Sequence, residues 1–385
     1  MRPLQKLLIS ILATPAMLGA TSAPAAAQTA LVAPEPLTQD GKFMPGFGTE
    51  AIVRTRYTVQ ADGSVGDIEF LGGFGSNSFL ENMLKQNIAT WTFTPGTANG
   101  EAVDFYNQEY TFALRIDPNA PPRMGPPPGG GRRGAPAAPA EGTEAAPPAV
   151  DFSTMPTLPL GLSAKVKEAI DTITRLVGAQ DYDKALKELD KLERRELRSV
   201  FDYSLVHEIK SGILMAKQEP FKALEESKLA TQSTETPQGT RTWFLTDEIL
   251  ENALRSKFLL AATLRQNGLA WETYSTLEGK FELAANDQIH AQAQSVKAQL
   301  DSPEPLGMLA SITDKLWTHT PTRRIFTVTD VNGRLNQITA RCERSTLELK
   351  YQENVDWTLP ESLGACKLDF EGRKGTQFTL YEFAE

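Results

Sequence analysis

Between residues 51 and 116 the apolar and polar positions alternate, change period, and then alternate again. Ile52, Arg54, Arg56 and Thr58 fall on one side of an extended chain, and Val53, Thr55, Tyr57 and Val59 on the other, which predicts a strand. Ala61-Asp62-Gly63 supplies a turn, and residues 65–71 supply its hairpin partner. Phe79, Leu80, Met83, Leu84 and Ile88 then recur at steps of three and four, the spacing of one stripe on a short helix. Trp91 and Phe93 mark a return to extended chain. Pro95 and Asn99-Gly100 punctuate a loop, and residues 103–116, rich in aromatic and β-branched side chains, predict a last long strand. The order is strand, strand, helix, strand.

The period becomes helical after residue 160. Leu162, Val166, Ala169, Ile170, Ile173 and Val177 form one stripe that Gly178 ends. Tyr182, Ala185, Leu186, Leu189 and Leu192 start another. A weak echo runs through this part: GAQDYDKALKELDKL, AKQEPFKALEESKLA and RQNGLAWETYSTLEG each join a polar turn, an aromatic residue and a helix start. Further helices are predicted at about 247–265 and 287–300, and Pro303 and Pro305 end the series. From about Met308 strand signals return. Residues 324–331 alternate, Asn332-Gly333 reads as a two-residue hairpin turn, and residues 335–342 read as its return strand; 346–351, 364–370 and 377–383 continue the pattern.

With DG in the first hairpin, WTFTP after the helix and NG before the last strand, residues 43–116 resemble the C-terminal domain of TonB-family proteins. The stretch ahead of the first strand departs from that family, with Phe43-Met44-Pro45-Gly46-Phe47 where a Tyr-Pro pair is common. The resemblance implies a small strand-strand-helix-strand domain whose final strand pairs with an extended segment of an outer-membrane receptor. Gln108, Tyr110, Phe112, Leu114 and Ile116 are the candidate residues of that partner-binding edge. The helical echo resembles tetratricopeptide-type hairpins, in which each unit buries its face only by stacking on the next. Its aromatics, Tyr182, Phe221 and Trp271, are spaced more widely than the repeats of that family.

The fold class expected is therefore multidomain α+β: a TonB-like domain at 43–116, an all-helical repeat domain at 160–302 and an antiparallel β domain at 306–385. Between the first two lies a segment at 117–159 dense in Pro, Gly and Ala, a composition that cannot bury a core and predicts a linker. Residues 1–27 have the form of a secretory signal peptide: basic Arg2 and Lys6, an apolar run, and Ala25-Ala26-Ala27 before Gln28. The run is about 14 residues and contains Pro15, short of the ~20 that span a bilayer. Export to the periplasm, with no membrane span after cleavage, is the expectation. Cys342 and Cys366 are the two cysteines, and in an oxidising compartment they are expected to form one disulfide.

The net charge of −9 argues against a nucleic-acid partner, because no basic excess is present to neutralise phosphates. Chemistry-bearing signals are sparse. His207, His290 and His319 lie in different segments without metal-ligand spacing. Gly72-Gly73-Phe74-Gly75 lacks the Lys-Ser/Thr of a phosphate cradle and reads as a loop. No catalytic residue and no cofactor is assigned. The sequence points to a non-enzymatic periplasmic protein that binds protein partners, with transport through outer-membrane receptors as the implied context. The alternatives are a structural envelope scaffold that holds peptidoglycan or an assembly complex and, from another class, an envelope hydrolase.

Overall fold

The computed structural model describes residues 30–38, 50–114, 164–235 and 241–384. Residues 1–27, read above as a signal segment, the stretch at 43–49, residues 117–159, read above as a linker, and Ile116 lie outside the described residues. An α+β architecture follows, with a small sheet-and-helix unit, a helical region and a β region in chain order.

The first unit contains β1 (Leu31–Val32), β2 (Pro36–Thr38), β3 (Ala51–Val59), β4 (Val65–Gly72), α1 (Ser78–Ile88), β5 (Thr92–Phe93), β6 (Thr97–Ala98), β7 (Glu101–Ala102) and β8 (Phe105–Leu114). The predicted strand-strand-helix-strand order is present. β3 is central in an antiparallel sheet ordered β4-β3-β8, and Leu80, Leu84 and Ile88 of α1 pack on it with Val53, Tyr57, Trp91, Phe93 and Phe112. Asn77 caps α1 by accepting from the Leu80 amide at 3.0 Å. Among the described residues ahead of β3, Pro34 and Pro36 do not prevent short strands. Leu31 pairs with Ala98 and Pro36 with Phe93, and the side chains of Asn99 and Thr94 accept from the Ala30 and Glu35 amides. Strands this short need only a few such bonds, which leave no apolar period to read.

The helical region comprises α2 (Ala164–Gly178), α3 (Tyr182–Arg195), α4 (Val200–Ala216), α5 (Pro220–Ala230), a hairpin of β9 (Ser233–Glu235) and β10 (Arg241–Trp243), then α6 (Asp247–Thr263), α7 (Asn267–Lys280) and α8 (Gln288–Asp301). Three helix pairs share one turn. Gln180, Gln218 and Arg265 each adopt a left-handed φ of 58°, 59° and 58°. The next amides, of Asp181, Glu219 and Gln266, return to the carbonyls of Leu176, Leu214 and Ala261 at 2.9, 2.9 and 2.8 Å, closing the same C-terminal cap three times. Four residues after these caps stand Ala185, Ala223 and Ala270, each fully buried. The alanines, and not the aromatics, occupy equivalent positions. Tyr182, Phe221 and Trp271 sit at the first, second and fifth helical positions of their helices, and the step from Ala223 to Ala270 stays longer than that from Ala185 to Ala223 because the β9–β10 hairpin is inserted in it.

The β region is β11 (Leu306–Ser311), β12 (Leu316–His319), β13 (Ile325–Asn332), β14 (Leu335–Cys342), β15 (Thr346–Leu349), β16 (Asp356–Thr358), β17 (Cys366–Gly372) and β18 (Gln377–Phe383). Two antiparallel sheets, ordered β11-β18-β13-β16 and β12-β17-β14-β15, enclose a core of Phe326, Val328, Ile338, Leu368, Phe370 and Leu380. The hairpin expected at Asn332-Gly333 does not form. β13 pairs with β16 and β18, while β14 pairs with β15 and β17, so the chain crosses between sheets there. Gly333 at φ 126° and the bond from the Arg334 amide to Thr376 Oγ1 at 2.9 Å make that corner. An Asn-Gly pair supplies the backbone freedom a sharp turn needs, and that freedom serves a corner as well as a hairpin. Cys342 and Cys366 face each other across β14 and β17 and form the expected disulfide.

Candidate binding edge and the seams around it

β8 is an edge strand, and hydrogen-bond parity fixes which of its groups face outward. The Ile52 amide donates to the Phe74 carbonyl at 2.8 Å, on the β4 side and away from β8. In an antiparallel ladder the residues opposite Ile52, Arg54 and Arg56 then also point their amides away from β3. Those residues are Ala113, Thr111 and Glu109. Among the described residues no backbone pairing of these three amides is seen. Of the residues singled out from sequence, Gln108, Tyr110, Phe112 and Leu114 lie on this strand opposite Tyr57, Thr55, Val53 and Ala51, and belong to the other parity. Phe112 and Leu114 are buried, and Tyr110 packs edge-on to Trp91 with centroids 5.3 Å apart. Tyr110, Phe112 and Leu114 anchor the strand in its own core, and the alternate residues turn toward its outer edge, beside which β9 of the helical region lies without pairing to it.

The opposite face of this sheet meets the helical region. Ile52 joins a buried cluster with Val200 and Phe244, against which Ala113 and Phe74 also pack. Glu50, itself buried, donates its amide to the Arg198 carbonyl at 2.9 Å, while its carboxylate accepts from the Val200 amide at 2.7 Å. A carboxylate at the first turn of α4 satisfies an otherwise orphaned donor and meets the positive end of the helix dipole. The glycine-rich loop serves this seam. A Cβ on Gly73 would lie 2.0 Å from the Ile52 carbonyl oxygen, so only glycine allows the loop to lie against β3. That approach carries Phe74 onto Tyr203 of α4, stacked at 4.9 Å.

The start of β8 meets the β region. The Tyr106 amide donates to the Glu343 carbonyl at 2.6 Å, and Asn107 Nδ2 donates to the Cys342 carbonyl at 2.8 Å and to Thr346 Oγ1 at 3.2 Å. Arg344 donates to the Asp104 carbonyl and lies 5.6 Å over the Phe105 ring. Lys367 Nζ reaches Glu109 Oε2 at 2.5 Å, and Arg56 bridges Glu109 and Glu69 at 3.2 and 2.9 Å. Burial raises the Glu109 carboxyl, but Lys367 and then Arg56 outweigh it and hold the group below the usual carboxylate range. The third seam joins helices to β region: the Leu309 amide donates to the Leu264 carbonyl at 3.0 Å, and Arg323 donates to the carbonyls of Leu300, Ser302 and Glu304.

The three histidines are each held by a partner in the fold. His207 Nδ1 lies 2.5 Å from Glu226, with Glu193 3.7 Å from Nε2 and Lys210 bridging Asp190 and Glu193. His290 Nδ1 lies 2.8 Å from the Tyr274 hydroxyl. His319 Nε2 lies 2.6 Å from Glu382, whose second oxygen accepts from the Thr322 amide at 3.0 Å. Nearby on α4, burial pushes the Glu208 carboxyl up to about 7, and on α6 burial brings the Lys257 ammonium down to about 8. Among the described residues no group of three His, Cys, Asp or Glu side chains is placed to hold a metal ion. Nor is any described helix long and apolar enough to cross a membrane. The seams were invisible in the sequence, because a donor such as Asn107 and an acceptor such as the Cys342 carbonyl share no local pattern. Comparison of the chain with protein-family models and with curated proteins finds no match.

Proposed function

We propose that the protein is a periplasmic, non-enzymatic interaction protein whose TonB-like unit binds an extended segment of a protein partner by strand addition along β8. The observation that carries this reading is the parity of the edge: Glu109, Thr111 and Ala113 turn their amides outward from a strand that Phe105, Tyr110, Phe112 and Leu114 hold in the core. Backbone donors and acceptors of this kind supply affinity to a strand of almost any sequence, and neighbouring side chains then select among them. Outer-membrane receptor segments are the partner class that the TonB resemblance implies. The disulfide suits an oxidising compartment, as periplasmic export requires. The tetratricopeptide-like helices would position the unit or hold a second protein.

The docking of the sheet on both other regions also favours a second reading, a structural scaffold of the cell envelope in which the TonB-like fold is a mounting block. Placing a photo-crosslinking amino acid at Thr111 in the full chain, expressed in its own host, separates the two. The strand-addition reading expects a discrete adduct with an envelope protein from that position. Adducts formed only from positions on the helical surface, with none from Thr111, would favour the scaffold.

A further inference from the structure

The first half of β8 already has a ligand inside its own chain. The corner between β14 and β15 receives the Tyr106 amide on the Glu343 carbonyl, the Asn107 carboxamide on the Cys342 carbonyl, and sends Arg344 to the Asp104 carbonyl. Asn107 adopts a left-handed φ of 55° at the bulge opposite the 57–59 step of β3, and asparagine is among the residues that tolerate it. The corner is preformed. The Cys342 amide closes it onto the Ser345 carbonyl at 2.9 Å, and the Glu343 amide donates to Ala365 at 3.0 Å. Glu343 Oε2 accepts from the Ala365 amide at 3.0 Å, and the disulfide ties Cys342 to Cys366.

We infer that this corner is an intramolecular clasp that occupies the start of the β8 edge and limits how far a partner strand can pair along it. The regulatory half of this statement rests on the strand-addition reading above. With the clasp closed, the outward amides of Glu109, Thr111 and Ala113 stand beyond the corner, while that of Tyr106 is taken. An added strand growing toward Phe105 meets Glu343 and must displace it to extend. Opening the clasp lengthens the pairing edge toward residue 105 without unfolding either unit, because the contacts given up are hydrogen bonds and ion pairs at the rims of two separate cores.

Amide hydrogen exchange on the full chain, comparing wild type with the Asn107→Ala, Arg344→Ala double variant, tests the clasp without any partner. Exchange at Tyr106 is expected to speed up about tenfold, with Leu368 and Phe370 in the sandwich core unchanged. Unchanged exchange at Tyr106 in the folded variant overturns the inference. So does acceleration at Tyr106 that is matched at Phe370, which would make the corner part of the sandwich's own stability. With the crosslinker at Thr111, the double variant should give the higher adduct yield, and equal yields overturn the regulatory role. Absence of adducts from both proteins, with the Tyr106 response intact, removes the strand-addition reading and leaves the clasp standing.

Discussion

Tyr106 donates its amide to the carbonyl of Glu343 across 2.6 Å, joining the last strand of the first unit to the middle of the last. With the Glu50–Arg198 bond on its other face, this seats the first unit against both the helices and the β sandwich. A unit held this way can couple what happens at its edge to two other surfaces, which a freely tethered unit cannot do.

The glycine-rich loop should show a sharp positional contrast. Gly73→Ala forces a Cβ to within 2.0 Å of the Ile52 carbonyl oxygen, whereas a Cβ on Gly72 meets open space at φ 79°. Gly73→Ala should cost on the order of 3 kcal/mol and loosen the Phe74–Tyr203 stack, while Gly72→Ala should cost about 1 kcal/mol. Urea denaturation of the two variants measures the difference, and equal costs would contradict the role given to Gly73.

Glu208 makes stability fall as pH rises. Burial lifts its carboxyl from 4.5 to about 7, so between those values the native state keeps a proton that the unfolded chain has released. Stability from this group is fully present below about pH 4.5 and is lost as pH climbs through 7. Glu208→Gln removes the penalty and should stabilise the protein by on the order of 2–3 kcal/mol at pH 8.5, with little change at pH 4. Denaturant midpoints at the two pH values check the sign.

Removing the disulfide acts mainly on the unfolded chain. A loop of 24 residues between Cys342 and Cys366 predicts a loss of about 3 kcal/mol in a Cys342→Ala, Cys366→Ala variant. The same variant should raise exchange at Tyr106 more than at Leu309, because the Cys342 carbonyl itself accepts from β8 at their seam, whereas Leu309 meets Leu264 from the other sheet of the sandwich. Equal changes at the two amides would show that the disulfide does not support that seam in particular.

Much of the fold was legible because it rests on local patterns. The alternation of residues 52–59, the stripe of Leu80, Leu84 and Ile88, and the helical pairs all follow from side-chain period, and each element formed where the period placed it. The misreadings share a cause. Asn332-Gly333 states that the chain can turn, but which strand lies beside β13 is decided by sandwich packing, and β18 won that place. Likewise Tyr182, Phe221 and Trp271 are conspicuous in the sequence, yet the positions that recur at the same distance after each helix cap are the fully buried Ala185, Ala223 and Ala270. The candidate site was legible only to the level of the strand. Residues 108–114 identify it, but which parity faces outward depends on the Ile52–Phe74 bond across the sheet.

That parity gives the most direct test of strand addition. Proline at Thr111 removes an outward amide and leaves the ladder to β3 intact, as edge positions tolerate, whereas proline at Phe112 removes an inward one from a buried residue. Partner capture by in-cell crosslinking of the affinity-tagged full chain should fall strongly in a Thr111→Pro variant whose circular dichroism and thermal midpoint match wild type. Undiminished capture by that folded variant would contradict pairing through the β8 edge.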